Sequence, residues 1–186
     1  MTNDGNWLIG ISCLYTHYLN RGSRDGFGAK DFHTHCDNKG ENVILLRHKN
    51  RDLSENIFGA YVSQNWQSIF CISFSLSYHA IAGLSTCDEK AFVFSLQNQY
   101  NVPPSKFVCI DPSKAIICHM NYGPIIGATN GIYILDNCNK TNENFVKIDG
   151  TVYECDPQYK CSLFVNTGSK DDFNYFTVDE IEVYTL

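Results

Sequence analysis

The sequence predicts a mainly β fold, a two-layer antiparallel β-sandwich with a few short flanking helices, and three observations carry that prediction. Apolar side chains recur at every second position in many short runs, Gly, Pro, Asn or Asp usually separates the runs, and only one stretch shows a clear helical stripe. The chain has 186 residues, 44% hydrophobic and 13% aromatic, which is enough to fill one sizeable core. Without a low-complexity tract, repeat or linker, residues 1–186 read as one domain, with 1–20 as an N-terminal extension packing on the sandwich.

In chain order, residues 7–19 offer a helix, followed by a better-defined helix over 29–36, where Ala29, Phe32 and Cys36 form an i, i+3, i+7 stripe. Gly28 falls at its N-cap, Asp31 lies in the first turn where a carboxylate suits the helix dipole, and Asn38 and Gly40 offer the stop. Strands are expected at 43–47, 57–63, 91–96, 107–110, 115–119, 131–135, 162–166 and 176–184. The clearest alternation runs from Phe70 to Tyr78, apolar on one face and hydroxyl-rich on the other.

The formal charge is −6, and Lys and Arg never gather into a run, which argues against a nucleic-acid partner and gives no anionic-membrane signal. The apolar stretch 7–15 lacks the basic start of a secretory signal, and no apolar run reaches the length of a membrane-crossing helix. A cytoplasmic protein is expected. Nine cysteines at scattered positions, several inside apolar runs, read as reduced thiols in the core and not as a disulfide framework.

The commonest catalytic motifs are missing: no Gly-x-Ser-x-Gly elbow, no phosphate-binding Gly-x4-Gly-Lys-Ser/Thr loop, no His-Glu-x-x-His. His33, His35 and Cys36 resemble metal ligands, but a two-residue spacing on a helix points side chains to different faces, leaving only His33 and Asp37 on one face. Cys155 and Cys161 sit too far apart for a zinc knuckle, although Lys160 makes them the candidate reactive thiols. Asp136 opens an oxygen-rich loop, but Cys138 and Lys140 break the calcium pattern. The expectation is no cofactor, no metal and no catalytic residue.

An ordered set of blocks carries a further signal. It runs Ser23-Arg24-Asp25-Gly26-Phe27-Gly28-Ala29-Lys30-Asp31-Phe32-His33, Cys36 to Gly40, Ile57-Phe58-Gly59-Ala60-Tyr61, Trp66, and Ala91 to Leu96 with Phe92 and Phe94. It continues with Asp111 to Ile116, Tyr122-Gly123-Pro124, Gly127, Ile132-Tyr133-Ile134, and Phe176 to Tyr184 with Asp179-Glu180. In order and spacing this set resembles the TLDc domain of the oxidation-resistance type, most like the compact forms of single-celled eukaryotes.

The resemblance implies a β-sandwich, a role in oxidative-stress resistance, and, from several members, regulation of the vacuolar-type proton pump by direct binding. The alternative is a thiol-based antioxidant that uses its exposed cysteines. The signature residues Asp25, Gly26, Phe32, Gly40, Gly59, Tyr61, Trp66, Phe92, Phe94, Gly123, Gly127, Asp179 and Glu180 read mainly as structural: glycines for close packing, aromatics for the core. Asp179 and Glu180 point to opposite faces of the last strand, so one would need a partner inside and the other could meet a basic surface. Among the departures, a Ser that caps the family's helix is Gly28, and 67–82 is longer and more apolar than the usual loop, a possible partner surface.

Overall fold

The computed structural model describes residues 17–49, 54–70, 83–128, 130–165 and 173–186. The chain enters on β1 (His17–Arg21), makes one turn of helix α1 (Gly22–Asp25), then helix α2 (Ala29–Cys36). Two eight-residue strands come next, β2 (Asn42–Lys49) and β3 (Glu55–Val62), then β4 (Leu84–Thr86), β5 (Phe92–Gln97) and β6 (Ser105–Val108). A 3-10 turn (Pro112–Lys114) leads to β7 (Ile116–Cys118), β8 (Ile125–Ile126), β9 (Ile132–Tyr133) and β10 (Asn144–Val146). A second 3-10 turn (Lys160–Leu163) precedes β11 (Asn174–Phe176) and β12 (Glu180–Thr185).

These strands form two antiparallel sheets, ordered β1-β12-β2-β3-β5-β6 and β11-β10-β9-β8-β7-β4 among the described residues. The predicted sandwich is the fold that forms. Ile44, Leu46, Phe58, Ala60 and Val93 from the first sheet meet Ile116, Ile126, Ile132 and Val146 from the second in one buried core. Phe58 joins the layers directly, its ring edge-on to Phe176 at 5.6 Å and to Phe164 at 5.9 Å. Helix α2 closes one side through Ala29, Phe32 and Cys36, with Phe32 edge-on to the fully buried Trp66 at 5.4 Å.

Several elements differ from the sequence prediction. The run 176–184 is not one strand: β11 belongs to the second sheet and β12 to the first, and residues 177–179 carry the chain across. Among the bonds that hold that corner are His48 Nδ1 to the Thr177 carbonyl (2.9 Å) and the amides of Val178 and Asp179 donating to the Cys138 and Arg47 carbonyls (3.2 and 2.9 Å). In place of the predicted strand at 162–166, the described residues as far as Val165 form the end of the second 3-10 turn and a short irregular segment. Leu163, Phe164 and Val165 are all buried there, and a short apolar run does not distinguish a strand from any other buried segment. Of the helix at 7–19, residues 17–19 lie in β1, and the rest, like 71–78 of the predicted alternating strand, lies outside the described residues; Phe70 is in no strand.

The outer faces of the sheets are apolar too. On the first, Val43, Phe92 and Phe94 form a separate cluster with Leu45, Tyr61, Leu96 and Leu186 packed against it. Phe92, Phe94 and Tyr61 therefore sit outside the sandwich core, because β5 is apolar on both faces and alternation alone does not say which face is inside. On the second sheet Tyr133 stacks on Phe145 with ring centroids 4.3 Å apart, in a cluster with Ile117 and Ile125.

Gly59 is a point where the pairing of the first sheet and its outer-face packing depend on one missing atom. A Cβ there would lie 1.8 Å from the Ile44 carbonyl oxygen and 3.1 Å from the Phe94 ring. Relief would require shifting backbone in β2, the strand that β12 also pairs with. Gly59→Ala is expected to cost about 3 kcal/mol, read as a lower denaturation midpoint with an unchanged slope in urea unfolding.

Candidate functional site

The signature residues near the chain start and end converge on one corner of the first sheet. β12 pairs on one side with β1, placing Arg21 opposite Glu182, and on the other with β2, placing Glu180 opposite Arg47. Glu180 is buried, and its Oε1 accepts the backbone N–H groups of Ser23 (3.0 Å) and Ile181 (3.2 Å). Arg21 Nε lies 3.5 Å from Glu180 Oε2 and 3.4 Å from Glu182 Oε1, so one guanidinium serves two carboxylates. Tyr184 donates its hydroxyl to the other oxygen of Glu182 at 2.7 Å. A groove of about 200 Å³ lies over this corner, lined by Arg21, Leu45, Arg47, Ile57, Glu180 and Glu182 with Leu46 at its base.

Asp25 and Gly26 build the turn that leads away from this corner. Asp25 accepts the Arg21 amide at 2.9 Å and both arms of Arg24 at 2.7 Å, and the Arg24 hydrogen bonds are the main cause that lowers its carboxyl to about 2. Gly26 has φ +112°, and a Cβ there would meet the Asp31 carboxylate at 2.1 Å. That close approach lets Asp31 Oδ2 accept the Gly28 amide at 3.0 Å, while Asp136 Oδ1 accepts the Ala29 amide at 2.8 Å. Asp136 thus supplies, from 107 residues away, a side-chain acceptor for the first amide of α2, whose N-cap Gly28 has no side chain to offer.

The remaining predicted residues are scattered across the fold. Gly40 turns the chain after α2 and donates its amide to Asn65 Oδ1 at 2.8 Å. Trp66 Nε1 donates to Asn42 Oδ1 at 3.2 Å, and Tyr61 stacks on Phe92 while donating its hydroxyl to Glu41. Gly123 packs against Ile134, and Gly127 takes φ +92° beside the Asn130 carbonyl. Asp179 precedes β12, is exposed, and accepts the Lys49 amide at 2.6 Å, so it belongs to the sheet corner. Glu180 faces outward and yet is buried, because the N-terminal turn covers it.

His33 and Asp37, the one helical pair able to share an ion, bond to each other instead at 2.7 Å. The other ring nitrogen of His33 contacts the carbonyls of His119 (3.1 Å) and Tyr122 (3.0 Å). Both ring nitrogens of His33 are therefore turned to protein oxygens, and neither faces an open position for an ion. Asp37 Oδ2 in turn accepts the amide and hydroxyl of Ser68, tying α2 to the segment after Trp66. Among the described residues no group of three or more His, Cys, Asp or Glu side chains is placed to hold a metal ion.

Of the two candidate reactive thiols, Cys161 is buried, its Sγ accepting the Ile148 amide at 2.8 Å and contacting the Ile148 carbonyl at 3.2 Å. Burial pushes the Cys155 thiol up against the opposing pull of Lys160. Burial also raises Cys36, Cys109 and Cys118, and brings Cys138 to about 12. Each of these shifts works against a thiolate.

A family model of the TLDc domain matches residues 11–186, and the chain belongs to that family. Among curated proteins none matches the chain.

Two measurements test the corner. Burial raises the Glu180 carboxyl, but the hydrogen bonds from Ser23, Ile181 and Arg21 outweigh it and leave it below the ordinary 4.5. The fold thus favours the carboxylate, whose stabilisation is complete above pH 4.5 and lost as pH falls through the lowered value. Glu180→Gln should cost about 2 kcal/mol at neutral pH and flatten the acid limb of a stability profile. Asp136→Ala should cost about 1 kcal/mol, with amide exchange accelerated at the start of α2.

Proposed function

We propose that this chain is a non-catalytic protein-binding domain of the oxidation-resistance type, in the compact form of single-celled eukaryotes. It acts from the cytoplasm in resistance to oxidative stress, and it regulates the vacuolar-type proton pump by binding it directly. TLDc membership over nearly the whole chain is the observation that carries this reading. The chemistry of the corner supports it: the carboxylates of Asp25, Asp31, Asp136 and Glu180 hold backbone amides in place, which leaves them anchored where an acid or base would need to meet a substrate. No described helix is long and apolar enough to cross a membrane, which leaves contact with another protein as the proposed route to the pump.

A thiol-based antioxidant is the competing class, and no observation favours it. Its two best thiols differ in exposure, and burial disfavours the thiolate of the more accessible one, Cys155.

Affinity purification from peroxide-treated cells, after mild crosslinking, is expected to recover subunits of the pump, and adding the purified chain to isolated pump is expected to release its cytosolic sector. Recovery of other proteins with every pump subunit absent would overturn the assigned partner. Consumption of peroxide by the purified chain, abolished in a Cys155→Ser, Cys161→Ser variant, would overturn the non-catalytic reading.

A further inference from the structure

The groove over Arg21 and Arg47 has an excess of hydrogen-bond donors. Arg47 stands directly opposite Glu180 across the β12–β2 ladder, the position where a cross-strand ion pair would form. Glu180 is turned away, its oxygens taken by the Ser23 and Ile181 amides and by Arg21. Glu182 is likewise engaged by Arg21 and Tyr184. The Arg47 guanidinium makes no ion pair or side-chain hydrogen bond among the described residues. It is exposed, mounted on an eight-residue strand between two paired neighbours, and walled by Leu45 and Ile57. A rigid fork of donors beside an apolar wall is the arrangement that recognises a planar oxyanion attached to an aliphatic stem.

We propose that this groove is the docking site for a carboxylate side chain, Asp or Glu, on a segment of a partner protein, with Arg47 as its bidentate anchor and Leu45 and Ile57 receiving the neighbouring apolar residue. The inference rests on the protein-binding reading and names the chemistry of the partner. Charge selects carboxylate over phosphate. Arg21 is shared by Glu180 and Glu182, so Arg47 is the lining cation outside any ion pair among the described residues; a carboxylate pairs with it one to one, whereas a phosphate near −2 brings a second negative charge beside Glu180 and Glu182 on a chain of net charge −6. The wider negative charge also makes the contact short-ranged, because only a carboxylate placed within the groove feels Arg47 more than the acidic surface around it.

The test is a titration of the isotopically labelled chain with three capped tripeptides, Leu-Glu-Leu, Leu-Gln-Leu and Leu-phosphoSer-Leu, observed through the arginine Nε–H and backbone amide signals. The Glu peptide is expected to shift the Arg47 Nε–H and the amides of Leu45 and Ile57 in a saturable way, with the Gln and phosphoserine peptides at least tenfold weaker. Arg47→Gln should weaken the Glu peptide at least tenfold while leaving the amide spectrum elsewhere in place, and Arg47→Lys, which keeps charge and loses the fork, should fall between. Equal binding of the Glu and Gln peptides, tighter binding of the phosphopeptide, or no shift at Arg47 would each overturn the site.

A parallel purification with wild-type and Arg47→Gln chains separates the two levels of inference. Partners recovered equally by both leave the protein-binding reading standing and remove the groove. A wild-type chain that recovers no protein removes the broader reading, while the peptide titration still reports on the groove.

Discussion

The last strand holds the first sheet together. β12 lies between β1 and β2, so two strands from the start of the chain become neighbours only through the final six-residue strand, and the ladder on each side of it is antiparallel and continuous apart from one bulge near Tyr18. Everything at the corner depends on that insertion. Glu180, the first residue of β12, is the acceptor that fixes the Ser23 amide, 157 residues earlier in the chain, and Arg21 completes the link from β1. Closing a contact of that sequence separation is entropically costly and late to be rewarded, which places the fold among the non-local β topologies that form slowly.

A second constraint comes from the apolar character of both faces of the central strands. In a two-layer sandwich the outer faces would be polar, but here Val43, Phe92 and Phe94 are buried on the outside of the first sheet and Ile125, Tyr133 and Phe145 on the outside of the second. Each buried aromatic on these faces contributes apolar burial on the order of 2 kcal/mol. The central sheet layers are therefore packed on both sides, and Gly59, whose added Cβ would meet the Ile44 carbonyl of β2 and the Phe94 ring of β5, is a point where the first sheet has no room for a side chain.

What the sequence made legible were the features written in local signals. Helix α2 begins and ends where its flanking Gly28, Asp31, Asn38 and Gly40 place it, and Asn38 does take the positive φ of 57° that such a stop calls for. The sandwich itself was visible in the many short apolar runs set apart by Gly, Pro, Asn or Asp, among them β2, β3 and β5. Illegible were the features set by tertiary contact. The crossing at 177–179 interrupts a run of mostly β-favouring residues, because it is enforced by His48, Cys138 and Arg47 from other strands and loops. Leu163 and Phe164 are apolar enough for a strand, but Ser95 Oγ donating to the Leu163 carbonyl and the ring of Phe58 hold them in a turn. The cap on α2 comes from Asp136, and no pattern near Gly28 announces it.

The same distinction supports the proposed reading of the corner as a surface for recognition. A side chain tuned for acid–base chemistry needs a group whose protonation can change during the reaction. The carboxylates here are tied to backbone amides and guanidinium groups, and Asp25 and Glu180 are both lowered by those ties, so at neutral pH they stay charged and in place. That fixity suits a template. Arg21 holds Glu180 and Glu182 on its own side, and Glu180 cannot turn toward Arg47 without giving up the Ser23 amide and loosening the turn into α1. The unmet donors of Arg47 are thus a consequence of the bonds that secure β12, which is why the residue that closes the sheet and the residue offered to a partner stand opposite each other on adjacent strands.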